Sequence, residues 1–246
     1  MADQRRIELD GRTAITASVY AAAAPALAPL VLAHGAGANQ FSPFMVEFAG
    51  ALAARHVDVV TFNFPFTERG KKLPDPQPVL EACYRAVLAR VSADPDLGAH
   101  PLFIGGKSLG GRMASHVAAS RDAADSDAIT WWDRLRGLVF LGYPLHPPGK
   151  PQQVRVSHLP HITHPMLIVQ GSRDAFGSPA ELRTFFDVLA APADLYVVEQ
   201  GNHSLEVPKR SGIAQAQVFA QAQDRMVSWI SERAAPATRV RRPPAR

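Results

Sequence analysis

Ile104-Gly105-Gly106-Lys107-Ser108-Leu109-Gly110-Gly111 decides how this chain is read. An apolar run enters the stretch and a helix-like segment leaves it, so the chain must turn from strand to helix within a residue or two. Such a turn holds the serine in a strained backbone conformation, and side chains two positions before and after it collide. Gly106 and Gly110 remove those side chains. The turn pushes the Ser108 hydroxyl clear of the backbone, and the Leu109 N–H, opening a helix, points where an oxyanion would form. Gly-x-Ser-x-Gly also occurs in glycine-rich turns without chemistry, so its weight comes from the strand before it and from the residues around it.

Six apolar runs, continuous except for Asp58, surround this turn: Leu30 to Ala33, Val57 to Val60, Leu102 to Ile104, Leu138 to Leu141, Met166 to Val169 and Leu195 to Val198. Continuous apolarity marks strands buried on both faces, which means a mostly parallel sheet with helices on either side. Arg5 to Leu9 and Thr13 to Tyr20 alternate instead and are joined at Asp10-Gly11, as an antiparallel hairpin would be. Ser42-Pro43 caps one helix, and Ser178-Pro179-Ala180-Glu181 is a capping box for another. Gln77 to Val91, Leu109 to Ala119 and Gln215 to Ile230 complete the helices, whereas Asp122 to Arg136 has no clear periodicity and carries Trp131 and Trp132 as packing anchors. Pro144 to Pro165 is too short for a cap domain, so the site should be open.

The 246 residues suit one α/β domain over 1–232, with an apolar fraction of 47% against 20% charged. Residues 233–246 hold five arginines and no acid. Without them the formal charge of +4 becomes −1, so the basic balance belongs to a tail whose Pro/Arg composition predicts disorder and gives no general nucleic-acid surface. The uncharged stretch Ala14 to Ala33 is no signal peptide, because Asp3, Glu8 and Asp10 precede it and Pro25 and Pro29 interrupt it. These features predict a cytoplasmic protein with no membrane span. Cys83, the single cysteine, reads as a packed core thiol.

A serine hydroxyl becomes a nucleophile when a histidine takes its proton and a carboxylate orients that histidine. Asp174 lies just beyond the Met166 to Val169 strand, and His203 just beyond the Leu195 to Val198 strand. With Ser108 they place three chemical groups at successive strand tips, in the order Ser, Asp, His. His34-Gly35-Ala36-Gly37 follows the Leu30 to Ala33 strand, where a second oxyanion donor belongs; the Ala36 N–H is the first choice and Gly35 the next, with His34 bracing the loop. His158, His161 and His164 are regularly spaced but lack neighbouring cysteines or carboxylates, so no metal site is expected, and no cofactor. Arg69, Lys71, Lys72 and Arg112 fit an anionic substrate or a solvated face equally well.

Together His34-Gly35-Ala36-Gly37, Gly106 to Arg112, Gly171 to Asp174 and Gly201-Asn202-His203-Ser204 resemble the α/β-hydrolase superfamily over roughly positions 5 to 232, closest to its dienelactone-hydrolase-like branch. Leu141 to Lys150 and Phe62 to Phe66 carry a narrower likeness to the hydrolase-like domain of testis-expressed and chromatin-complex regulatory subunit proteins and their bacterial relatives. Dienelactone hydrolases use a cysteine where this chain has Ser108. The resemblance implies a fold without a large cap and a serine hydrolase acting on a small-molecule acyl substrate. Its rival is a non-catalytic binding module using a surface such as Phe62 to Arg69 or the arginine tail, or a thioesterase, acyltransferase or peptidase on the same residues.

Overall fold

The computed structural model describes residues 2–10, 13–120 and 129–234. Eight strands form one sheet in the order β1-β2-β4-β3-β5-β6-β7-β8. β1 (Asp3–Asp10) and β2 (Thr13–Tyr20) pair antiparallel on either side of the turn residues 11–12, which lie outside the described residues. β2 in turn pairs antiparallel with β4 (Val57–Phe62). From β4 onward every pairing is parallel, through β3 (Ala28–Ala33), β5 (Leu102–Lys107), β6 (Leu135–Leu141), β7 (Met166–Gly171) and β8 (Ala193–Val198). β3, β4, β5 and β7 are buried along their whole length, as their apolar content predicts, with Asp58, Thr61, Lys107 and Gln170 buried among the apolar side chains. The stretch weighed against a signal peptide thus supplies β2 and the central β3.

Helices cover both faces. α1 (Pro43–Ala53) and α7 (Gln215–Ala234) close one core around Phe48, Phe103, Met226 and Trp229. α3 (Gln77–Ser92), α4 (Leu109–Ala119), α5 (Ile129–Arg134) and α6 (Pro179–Phe186) lie over the other, where Tyr84, Met113, Trp131 and Phe140 pack. Cys83 sits in this second core, and burial pushes its thiol pKa up, so it is a packing group. The expected capping box forms at α6: Ser178 Oγ accepts from the Glu181 N–H, and the Glu181 carboxylate accepts from the Ser178 N–H at 2.8 Å.

Four expectations need correction. Pro65–Glu68 forms a short helix, α2, because Pro65 takes the first helical position after the extended Phe64. Phe62, Phe64 and Phe66 point into the core, so Phe62 to Arg69 is no apolar docking surface. Of Asp122 to Arg136, residues 121–128 lie outside the described residues; the remainder forms α5 and the start of β6, with Trp131 buried. The domain also runs past 232: Arg233 and Ala234 belong to α7, where the Arg233 guanidinium lies 4.2 Å over the Trp229 ring and 3.0 Å from the Asp194 carboxylate. Residues 235–246 lie outside the described residues.

Candidate active site

Every side chain singled out for chemistry stands where the parallel strands end. Ser108 links β5 to α4 with φ 51° and ψ −113°, a conformation that costs a non-glycine residue about 1–3 kcal/mol. The close packing around it is real. A Cβ at Gly106 would lie 2.5 Å from the Ala33 carbonyl oxygen, and one at Gly110 would overlap the same carbonyl.

His203 meets Ser108 from the loop after β8, Nε2 to Oγ 2.8 Å, and its Nδ1 lies 2.7 Å from Asp174 Oδ2. A carboxylate only accepts, so Nδ1 carries the proton and Nε2 is left to accept the serine hydroxyl. Asp174 is held by two further contacts, and His203 by one. Asp174 Oδ2 accepts from Gln170 Nε2 at 2.8 Å, its Oδ1 accepts from the Phe176 N–H at 2.8 Å, and Phe176 stacks on the His203 ring at 4.1 Å. Burial lowers the His203 pKa most, its bond to Asp174 opposes that, and the nearby Lys107 cation lowers it again.

Lys107 is the least expected member of the site. It is buried beneath the turn, and its Nζ donates to the His203 carbonyl at 2.6 Å, tying the histidine loop to the strand that carries Ser108. Desolvation lowers its pKa to about 8, against the pull of Asp174 and Glu206. Gly142, at φ 68°, lets the β6 tip approach as well, since a Cβ there would come within 2.7 Å of the His203 carbonyl oxygen.

On the other side of Ser108, Gly35 packs so closely that a Cβ on it would sit 3.5 Å from the Ser108 Cβ. Among the described residues, the Ala36 and Leu109 N–H groups donate to no protein acceptor. His34 braces this loop. Its Nδ1–H donates to the Gly35 carbonyl at 2.8 Å and its Nε2 accepts from the Phe64 N–H at 3.2 Å, while burial lowers its pKa to about 4 and keeps it neutral.

A cleft of about 600 Å3 opens over Ser108 between the Gly35–Ala38 loop, α4 and Phe176. A more apolar cleft of about 620 Å3, with Phe44, Met45 and Phe219, adjoins it across Lys107 and Ser204. The segment from Pro144 to Pro165 contributes only the 3-10 turn Leu159–His161 as regular structure, so among the described residues no cap domain covers the site.

A second serine–histidine contact, Ser115 Oγ to His158 Nε2 at 2.7 Å, has different geometry. Ser115 is fully buried and directs its hydroxyl hydrogen to the Arg112 carbonyl at 2.6 Å, so that hydrogen is not presented to His158 for removal. His158 stacks on His116 at 3.6 Å, whereas His164 meets the edge of Trp132 at 5.5 Å, so their regular spacing leads to separate neighbours. No group of three or more metal-ligating side chains is gathered among the described residues. Nor is any described helix long and apolar enough to cross a membrane.

Of the residues singled out in the sequence, the structure brings Ser108, His203 and Asp174 into hydrogen-bond contact and packs Gly35 against Ser108; Lys107, Gln170 and Phe176 were not singled out. Gln170 had a signal, as the one polar side chain inside an apolar strand.

The architecture recurs in known structures. A dienelactone hydrolase from Anabaena variabilis superposes with a TM-score of 0.73 at 17% identity, covering 96% of this chain and 99% of its own. A putative dienelactone hydrolase from Klebsiella pneumoniae gives 0.69 at 16%, covering 94% and 98%. A serine hydrolase without a lid from Xanthomonas campestris gives 0.64 at 15%, covering 96% of each chain. Identities this low speak to the fold alone. The Alpha/beta hydrolase domain family, however, matches residues 26–231, most of the chain, and the protein therefore belongs to the α/β-hydrolase family.

Proposed function

We propose that this chain is a cytoplasmic, cofactor-independent serine hydrolase that cleaves an ester or related acyl bond through Ser108, His203 and Asp174. The observation carrying the reading is the unbroken hydrogen-bonded relay from Ser108 Oγ to Asp174 Oδ2, 2.8 Å and 2.7 Å long, started by a serine in a strained conformation. As Ser108 Oγ attacks the acyl carbon, its proton passes to His203 Nε2 and Asp174 stabilises the imidazolium. The carbonyl oxygen, now negative, receives the Ala36 and Leu109 N–H groups, with Gly35 alongside. Collapse expels the alcohol with the proton from His203, and water repeats the sequence on the acyl-enzyme to release the acid and regenerate Ser108.

The narrower likeness to testis-expressed and chromatin-complex regulatory subunits favours a scaffold reading, but a scaffold gains nothing from straining Ser108 against a histidine. A fluorophosphonate probe decides between them. Wild-type protein should be labelled and should hydrolyse small activated esters, and Ser108→Ala should do neither while keeping its circular dichroism and melting temperature. Folded wild-type protein that resists probes of several sizes would overturn the hydrolase reading.

A further inference from the structure

Arg112 and Arg155 converge on the Ser108 cleft and have no carboxylate to meet. Arg112 lies one turn beyond Ser108 on α4, its N–H donating to the Ser108 carbonyl at 3.0 Å. Arg155 comes from the loop after β6, fixed where its N–H donates to the Leu145 carbonyl at 2.8 Å. Both line the cleft that holds Ser108 and His203. Among the described residues neither guanidinium has a carboxylate within 4.0 Å, and Arg112 Nε is buried without a hydrogen-bond partner. Asp75, the acid sharing the cleft, holds Arg69 through Oδ1 at 2.6 Å while its Oδ2 has no hydrogen-bond partner, and Glu81 lies 3.8 Å from His116, near enough to favour the Arg112 cation without pairing with it. Burial and the repulsion of Arg155 both lower the Arg112 pKa, so the pair is held at an electrostatic cost that an anion between them would relieve.

We infer that Arg112 and Arg155 form an anion-recognising subsite, and that the substrate is an ester whose acyl part carries a carboxylate or similar anionic group a few bonds from the reacting carbonyl. This rests on the hydrolase reading and gives it a substrate class. Of the four cations singled out in the sequence, only Arg112 has this role; Arg69 is paired, and Lys71 and Lys72 are exposed outside the cleft.

The test compares p-nitrophenyl hemisuccinate and hemiglutarate with the uncharged butyrate and pentanoate esters. Wild-type protein should favour the anionic member of each pair by at least tenfold in kcat/KM, and the preference should shrink with added salt. Arg112→Gln and Arg155→Gln should each cut that ratio at least fivefold; taken within one preparation, the ratio is indifferent to how much of a variant folds. A wild-type ratio near or below one, or ratios unchanged in both variants, would overturn the subsite. In parallel, glutarate should raise the melting temperature of Ser108→Ala protein, glutaramide should not, and adding Arg155→Gln should remove the effect. Arginine-dependent stabilisation in a protein that cleaves no ester would sink the hydrolase reading and leave the anion site standing. Turnover of neutral esters with no anion effect in either assay would do the reverse.

Discussion

Tyr84→Phe tests how the strand feeding Ser108 is held. The Tyr84 hydroxyl, fully buried on α3, accepts from the Gly105 N–H at 3.0 Å and lies 2.7 Å from the Gly105 carbonyl oxygen and 2.9 Å from that of Val31. Its single proton serves one carbonyl at a time. Phenylalanine would fill the same space but leave one buried N–H without an acceptor and one carbonyl without its donor. At about 1–3 kcal/mol for each unsatisfied buried group, the loss should be about 2–6 kcal/mol. For a domain of this size that is a fall of roughly 4–24 °C in melting temperature. Urea denaturation and calorimetry would read it directly. Because Gly105 stands three residues before Ser108, ester turnover at a temperature where the variant is fully folded should fall too. A stability change below about 0.5 kcal/mol would show that Gly105 finds its partner within the ladder and that the hydroxyl is incidental.

Asp174→Asn should leave the fold intact and lower turnover by up to about four orders of magnitude, because His203 loses the partner that fixes its tautomer; near-normal activity would show that another acid does this work. Esterase activity should rise with pH through a midpoint below the usual imidazole value of about 6.5, since burial and Lys107 hold His203 low. Lys107→Met, by removing that cation, should move the midpoint upward, and an unmoved pH–rate profile would refute the coupling. His34 and His116 are lowered to about 4 and His158 to about 3, so as pH falls the unfolded chain takes up their protons first. The stability they contribute is complete above about pH 6.5 and should drain away between there and pH 3–4, visible as a melting temperature that drops with acidification. Gly110→Ala, which would drive a methyl into the Ala33 carbonyl, should abolish activity or folding, whereas Gly37→Ala, with open space around it, should be tolerated for folding.

The features legible in the sequence were those with a local cause. Apolar runs became the parallel strands with ends displaced by a few residues, because the sheet is covered on both faces along β3, β4, β5 and β7, whereas β8 at the edge is only half-buried. Ser108, Asp174 and His203 were found because each directly follows such a run. What escaped was set by distant partners. Tyr84 looks like one more apolar position on a helix, and its contacts lie 21 and 53 residues away. Lys107 looks like a solvated turn residue until the His203 loop, 96 residues on, closes over it. Arg155 sits in a loop without periodicity, so nothing nearby indicates that it faces Arg112. Arg233 was assigned to the tail by composition, yet Trp229 and Asp194 give it a place in α7.

The anchoring of α7 also gives the molecule a handle. Its last turn is clamped to Asp194 at the amino end of β8, through Trp229 Nε1 at 2.7 Å and Arg233 at 3.0 Å, while Ser108 and His203 stand beyond the carboxyl ends of the strands. A surface, bead or fusion partner coupled beyond Ala234 would therefore hold the protein by the pole opposite the cleft, and immobilised molecules would all present their open face to the flowing solution.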